Sequence, residues 1–314
     1  MAFNLRIGSR PSQLALAQTE IVRSRLASIV PDLSAEVVEI RTSGDRMTSA
    51  TLAGVGGKGL FIRELEQALL EKRIDLAVHS MKDLPAILEP QFHIAAVSER
   101  EDPRDVLVTR DGGPLASLAN GARLGTSSLR RRFQVLKANP GLEISPLRGN
   151  VDTRLRRVTE GGLDAIVIAM AGLRRLGHSV DVRFTPLDER DFIPAGGQAV
   201  LAIETLANSS SPQLDRTLGV LNDSRARYET TAERAFLAAI GASCATPVGV
   251  KATVAKDTVS LRAILFSRDG SAEMSDEVEE PLDVDLAPSA AHSLGARLGE
   301  RMLARGADRL IENE

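Results

Sequence analysis

Two spacings of apolar residues alternate along the first part of the chain. Leu5 to Gly8, Val37 to Ile40 and the run through Leu76, Ala77 and Val78 are short and nearly continuous, as strands buried on both faces are. Between them, Gln13 to Ile29 and Lys58 to Lys72 repeat at helical spacing. Leu16, Ile21 and Leu26 are the core candidates of the first helix. Leu60, Phe61, Leu65, Leu69 and Leu70 share one side of the second. Strand, helix, strand, helix and strand in that order predict a mostly parallel sheet. Thr42 to Gly57 has little periodicity, is rich in Gly, Ser, Thr and Ala, and is long for a connection. Connections of that length are usually functional or mobile.

A second alternating unit begins at Asp105 to Val108. Arg123 to Gly125 is a short strand, and Thr126 and Ser127 can cap the helix after it. Ile144 to Leu147, a helix over 151–159, a strand over Ala165 to Ala169 and a turn or short helix over Gly172 to Gly177 follow. The two units are similar in plan without a sequence repeat. The last part differs. Ser224 to Ile240 reads as one helix, Val250 to Val254 and Val259 to Leu265 as strands around Asp257, and Leu286 to Arg309 holds a final helix. Glu273 to Asp285 carries seven acids and no base, the mark of a solvated edge. The class is α/β, two α/β units followed by a small α+β domain.

With 314 residues, 43% of them hydrophobic, the chain can fill two or three cores. Its net charge of −3 gives no general case for nucleic acid or an acidic membrane surface. The single cysteine, Cys244, excludes an internal disulfide framework and a cysteine metal site. The histidines at 79, 93, 178 and 292 show no ligand spacing, so no metal is expected. No apolar run approaches the roughly 20 residues of a membrane span, and the N-terminus has no signal-peptide core. The expectation is a soluble cytoplasmic protein.

Two regions carry chemistry. His79, Ser80, Lys82 and Asp83 crowd the end of a strand before Pro85, where open α/β sheets bind ligands. Between Arg123 and Arg175 stand ten arginines and Lys137 against four acids. Arg130 and Arg131 fall at a helix start, where cations oppose the helix dipole, and this points to an anionic ligand. The bland alternative is a set of solvated arginines paired with distant acids. Arginine grips carboxylates with two parallel hydrogen bonds. Aromatic residues are only 3%, too few to stack nucleic-acid bases, so a small polyanion is preferred. Cys244 sits in a polar loop, Ala242 to Gly249. There it could anchor a group covalently, act as a nucleophile, or simply be buried.

In this order and spacing the segments resemble the porphobilinogen deaminase (hydroxymethylbilane synthase) family. The resemblance rests on Arg10-Pro11-Ser12, Thr42-Ser43-Gly44-Asp45, Gly57-Lys58-Gly59-Leu60-Phe61, Asp75 to Pro85, and Arg100 to Asp105. It continues through Gly125 to Arg131, Leu147-Arg148-Gly149-Asn150 with Thr153-Arg154-Leu155, Glu233-Arg234-Ala235-Phe236, and Cys244 with Pro247 and Gly249. It implies two periplasmic-binding-protein-like domains, 1–98 with 199–217 and 99–198, and a third, 218–314, carrying the cysteine. It implies a dipyrromethane cofactor held by Cys244 through a thioether, and a monomer with no nucleic-acid or membrane partner. On that primer four porphobilinogen molecules join head to tail, each losing ammonia, to give hydroxymethylbilane.

The resemblance also assigns residues. Asp83 matches the catalytic aspartate, which protonates the leaving amine and steadies the cationic azafulvene. Ser80, Lys82, Thr126, Ser128, Arg130 and Arg131 match cofactor contacts. Arg10, Ser12, Arg148, Arg154 and Arg175 match residues that meet substrate carboxylates. Two departures stand out. Ala242-Ser243 replace a usual Gly-Gly before the cysteine, where positive φ would be less easy, and Ala199 replaces a glycine after Gly197-Gln198. The competing reading is a non-catalytic two-domain anion-binding module, which explains the arginines but not Asp83, Cys244 or the third domain.

Overall fold

The computed structural model describes residues 3–30, 33–42, 62–178, 183–208, 211–243, 245–282 and 285–311. Its contacts divide the chain into two units, Met1–Arg100 with Val200–Arg227, and Glu101–Ala199 with Tyr228–Glu314.

Unit 1 is built on strands β1 (Phe3–Ser9), β2 (Leu33–Glu39), β3 (Leu76–Ser80), β4 (Phe92–Val97) and β10 (Leu201–Leu206), in the order β2-β1-β3-β10-β4. The first three are parallel, as the alternating pattern predicts. β10 is then inserted antiparallel between β3 and β4. Helix α1 (Gln13–Ile29) starts where Ser12 caps it, its hydroxyl accepting the Ala15 N–H. Its buried face is Gln18, Thr19, Val22 and Leu26. Ile21, expected in the core, is 45% exposed, because it lies one position off that stripe. Helix α2 (Arg63–Leu70) buries Leu65 and Leu69 but leaves Leu70 exposed. The expected start of that helix, with Leu60 and Phe61, and the loop from Ser43 lie outside the described residues. Helix α6 (Pro212–Leu221) covers the β4 side. Each fully buried side chain, such as Leu26 or Leu76, contributes about 1.5–3 kcal/mol through lost contact with water.

Unit 2 repeats the plan with β5 (Asp105–Thr109), β6 (Arg123–Gly125), β7 (Glu143–Ser145), β8 (Ala165–Ala169) and β9 (Phe184–Pro186), ordered β7-β6-β8-β5-β9. Again three strands are parallel and the fourth, β5, enters antiparallel. The helices are α3 (Leu129–Ala138), α4 (Val151–Thr159) and α5 (Met170–Arg175). Ser128, not Thr126 or Ser127, caps α3, accepting the Arg131 N–H. Thr126 instead accepts the Ser128 N–H.

The third sheet is antiparallel: β11 (Val248–Val254), β12 (Thr258–Phe266) and β13 (Glu273–Pro281). It packs with α7 (Ser224–Ala239) and α8 (Pro288–Ala304), before a short α9 (Asp308–Ile311). The acidic run is therefore an edge strand, and its acids are not simply solvated. Asp276 accepts hydrogen bonds from Arg301 and pairs with Arg305, and Glu280 pairs with Arg297, all from α8 or its C-cap. Charges along an edge strand also discourage pairing with another chain.

Candidate active site

In unit 1 the connections after β1 and β3 leave the same end of the sheet, since those strands are parallel. The first carries Arg10 and Ser12. The second is Ser80 followed by one 3₁₀ turn, Met81–Asp83. That turn, and not Pro85, ends the strand. Lys82 and Asp83 lie on that turn. Met81 points inward and is buried, while Asp83 is exposed, as a three-residue turn between sheet and solvent requires. Arg10, Ser12, Gln18, His79, Ser80 and Asp83 line one pocket of about 60 Å³. Gln18 donates from Nε2 to the Ser80 hydroxyl at 2.8 Å. This glutamine was missed from sequence. Its signal is a polar side chain at i, i+4, i+8 spacing with the buried Val22 and Leu26.

In unit 2 the connections after β6, β7 and β8 carry Thr126 with Ser128, Arg148, and Arg175 in turn. The arginine pair has a partner that the sequence did not reveal. Arg130 and Arg131 are buried and already share an internal anion, Asp105 of β5. Arg130 Nη1 donates to Asp105 Oδ2 and Arg131 Nη2 to Oδ1, each at 2.8 Å. Their distant acid partner is real, but it is buried rather than solvated. Burial acts to raise the Asp105 pKa, yet the two guanidinium charges outweigh it and hold the carboxyl well below its ordinary value. Arg130 also donates to the Ile193 carbonyl, and Gln198 donates to Asp105. Two cations on one carboxylate leave one positive charge over, and Arg131 Nε is buried without a partner.

The remaining arginines differ in setting. Arg148 is exposed just before Gly149, whose φ of +107° suits glycine. Arg154 Nε donates to the Gly149 carbonyl at 2.8 Å. Arg175 donates to the Ala199 carbonyl at 2.6 Å. Burial pulls the Arg175 pKa down to about 10, partly offset by the charge of Glu101. Ala199 itself has φ +74°, so the glycine usual there is replaced by a residue in the left-handed region. Gly241 is in that region at φ +66°, but Ala242 and Ser243 are not, so their replacement of glycine adds no such strain. Ser243 and Thr246 bond within the loop, the Ser243 N–H donating to Thr246 Oγ1 at 2.9 Å. Gly249 must stay small, since a Cβ there would lie 2.6 Å from the Ile193 carbonyl oxygen. Cys244 lies outside the described residues. Among the described residues no cluster of acids and histidines could hold a metal, and no helix is long and apolar enough to cross a membrane.

These halves describe an α/β protein with an acid at one strand end and under-neutralised guanidinium groups at others, suited to a carboxylate-bearing small molecule. Comparison with known proteins gives the family. The model for the porphobilinogen deaminase dipyromethane cofactor binding domain matches residues 5–213, and that for the porphobilinogen deaminase C-terminal domain matches residues 227–304. The chain belongs to the porphobilinogen deaminase family. It is 43% identical to the porphobilinogen deaminase of Syntrophobacter fumaroxidans, over 98% of this chain and 97% of that one. It is 44% identical to that of Syntrophus aciditrophicus, over 98% of each. It is 49% identical to that of a Roseiflexus species, over 86% of this chain and 88% of that one. Among solved structures, the periplasmic aliphatic sulphonate binding protein SsuA of Escherichia coli is similar over 98% of this chain and 91% of that one, at 13% identity and a TM-score of 0.43. That likeness is too loose to add to what the strand order shows.

Proposed function

We propose that this protein joins four porphobilinogen molecules head to tail, with loss of ammonia, into the linear tetrapyrrole hydroxymethylbilane. The family membership over nearly the whole chain carries this reading, and the residues present fit it. Each pyrrole of the substrate bears an acetate and a propionate. Arg130 and Arg131 exceed the charge of Asp105 by one, and Arg131 keeps a buried N–H to give. A donor set of that kind fits a dipyrromethane, which presents several carboxylates.

In this reading Cys244 holds the dipyrromethane, with Ser80, Lys82, Asp83, Thr126, Ser128, Arg130 and Arg131 as its contacts. When bound, that group supplies the pyrrole carbon on which the chain is built. Asp83 donates a proton to the departing amine, and the resulting carboxylate balances the cation that departure leaves. Arg10, Ser12, Arg148, Arg154 and Arg175 bind substrate carboxylates. Three domains, 1–98 with 199–217, 99–198 and 218–314, a monomeric state, a cytoplasmic location and the absence of nucleic-acid partners complete the reading.

The test is an intact mass of purified protein beside an assay for hydroxymethylbilane. The expected mass exceeds that of the chain by two porphobilinogens less two ammonias, and Cys244→Ser loses both adduct and product. Normal turnover by Cys244→Ser removes the anchoring role. A chain that binds porphobilinogen yet forms no product, even after incubation to build its own primer, favours the non-catalytic anion-binding module.

A further inference from the structure

Unit 1 holds a buried polar pair that the chemistry above leaves unused. His79 of β3 and Glu204 of β10 lie on the sheet face covered by α2, in line with Ala77. His79 Nε2 and Glu204 Oε2 are 3.0 Å apart, and the side chains are 4% and 0% exposed. The second oxygen, Glu204 Oε1, is buried without a hydrogen-bond partner. Glu66 of α2 feels both groups: burial first, then the charges of Glu204 and Glu89, push it up to about 7, while His79 and Arg63 oppose the shift. An unmet buried oxygen costs about 1–3 kcal/mol. The partner of Glu204, His79, lies one residue before Ser80 and four before Asp83.

The pair is diagonal across the ladder, with His79 opposite Ala202 and Glu204 opposite Ala77. A slip of one residue would turn Glu204 to the other face, among Leu5, Ile7, Leu76 and Val78, where nothing balances a carboxylate. The other side of β10 is irregular at the same residue. Ile203 lies opposite Ala96 but Glu204 opposite Ile94, which leaves Ala95 as the extra residue of a β-bulge. Arg227 donates to the carbonyls of Ile94 at 3.0 Å and Ala95 at 2.8 Å, so the bulge is a satisfied feature. With the β4 side irregular, the His79 pair joins the buried apolar residues Leu201 and Ile203 in distinguishing one register on β3. That register decides where the turn sits: Leu201 lies opposite Ser80, and the Met81 N–H donates to the Val200 carbonyl at 2.9 Å.

We propose that His79 and Glu204 are positioning residues for Ser80 and Asp83: their buried pair locks β10 onto β3 in the one register that brings the Ser80–Asp83 turn to the rim of the pocket. The kinetic part of this proposal rests on the reading of Asp83 as the proton donor. The structural part does not.

The experiment replaces both partners at once. Removing both members of a buried pair commonly leaves stability unchanged or raised, so His79→Leu with Glu204→Leu separates positioning from stability. The expected result is a Tm at or above that of wild type, kcat lower by roughly 10- to 100-fold and KM within about three-fold, because a small misplacement of a reacting group is that costly. Hydrogen exchange at the Met81 amide rises by about ten-fold, as a loosened ladder end allows. Replacing both by Gln restores a hydrogen bond without charge and returns kcat to within about five-fold of wild type. Wild-type kcat and Met81 protection in the Leu pair overturn the proposal, as does a Gln pair no better than the Leu pair. If the Leu pair does not fold, His79→Asn decides, since it stays polar but is too short to reach Glu204. Faster Met81 exchange with lower kcat supports the lock, and wild-type values of both overturn it. Absence of product from wild type itself is a failure of the functional reading, and the Met81 exchange still tests the lock.

Discussion

In unit 1 the antiparallel strand inserted into the sheet, β10, carries Glu204 against one histidine. In unit 2 its counterpart, β5, carries Asp105 against two arginines. The sheets share one strand order, and both bury an acid on the strand that breaks the parallel run. They differ in what the acid leaves over. Two guanidiniums there face one carboxylate, so the Asp105 cluster of unit 2 carries a buried surplus of positive charge. In unit 1 one histidine meets one carboxylate, and Asp83, the acid proposed to react, stands exposed on a turn beyond the strand. In the proposed reading, one plan thus yields a half that holds anions and a half that moves a proton.

The largest way to test that division is Asp83→Asn. Matched for bound cofactor, this variant is expected to lose roughly 100- to 10,000-fold in steady-state hydroxymethylbilane formation. Its Tm stays that of wild type, because an exposed turn residue carries little packing. A turnover within a few-fold of wild type would move the proton chemistry out of unit 1.

Asp105→Ala attacks the other half. It leaves Arg130 and Arg131 buried without their anion, and breaking a buried pair from one side costs about 3–5 kcal/mol. Urea unfolding checks this. The pH sign follows from the depressed Asp105 pKa. Its contribution is present above the unfolded value of 3.8 and is lost only as pH falls below that toward the lower folded value. Wild type should therefore lose stability in strong acid more steeply than Asp105→Ala does, and equal acid slopes would contradict the pairing.

Glu66→Gln probes unit 1 from the opposite side of the pH scale. The folded pKa of Glu66 is raised from 4.5 to about 7. Wild type is thus penalised as pH rises from 4.5 through 7. Glu66 is half-exposed, so after allowance for solvent screening the gain from Gln is about 1–2 kcal/mol at pH 8 and near zero at pH 4. Chemical denaturation at the two pH values measures it, and a gain independent of pH would rule out titration as the cause.

Ala199→Gly is the smallest change. A left-handed alanine costs about 1–2 kcal/mol, and glycine returns about 0.5–1 of that as unfolded-state freedom. The expected net gain is about 0.5–1 kcal/mol, read as a small rise in Tm, with the Arg175 bond to the Ala199 carbonyl retained. A fall in Tm would mean that alanine's fixed backbone matters more at this position than its strain.

Much of this architecture was legible in the chain. Arg123–Gly125, helix 151–159 and Ala165–Ala169 fall where periodicity placed them. Periodicity is local, and a strand or helix buries its apolar face wherever the partner comes from. The end of β3 was legible as a candidate site for a similar reason: Ser80, Lys82 and Asp83 are polar and follow the apolar run Leu76 to Val78, whereas the burial of His79 against Glu204 was not legible.

The sequence alone determined the element types, the two alternating units, the arginine surplus and the family. Each of these rests on residues close together in the chain or on their order along it. The tertiary structure alone decided which buried acid meets which base. Asp105 reaches Arg130 and Arg131 because β5 enters antiparallel beside β8, and Glu204 reaches His79 across 125 residues because β10 returns to pair with β3. It likewise decided that Ala199 is held at positive φ and that Ser128 rather than Thr126 caps α3. Buried charges and strained backbone persist only where distant segments surround them, so their partners are set by topology and not by spacing along the chain.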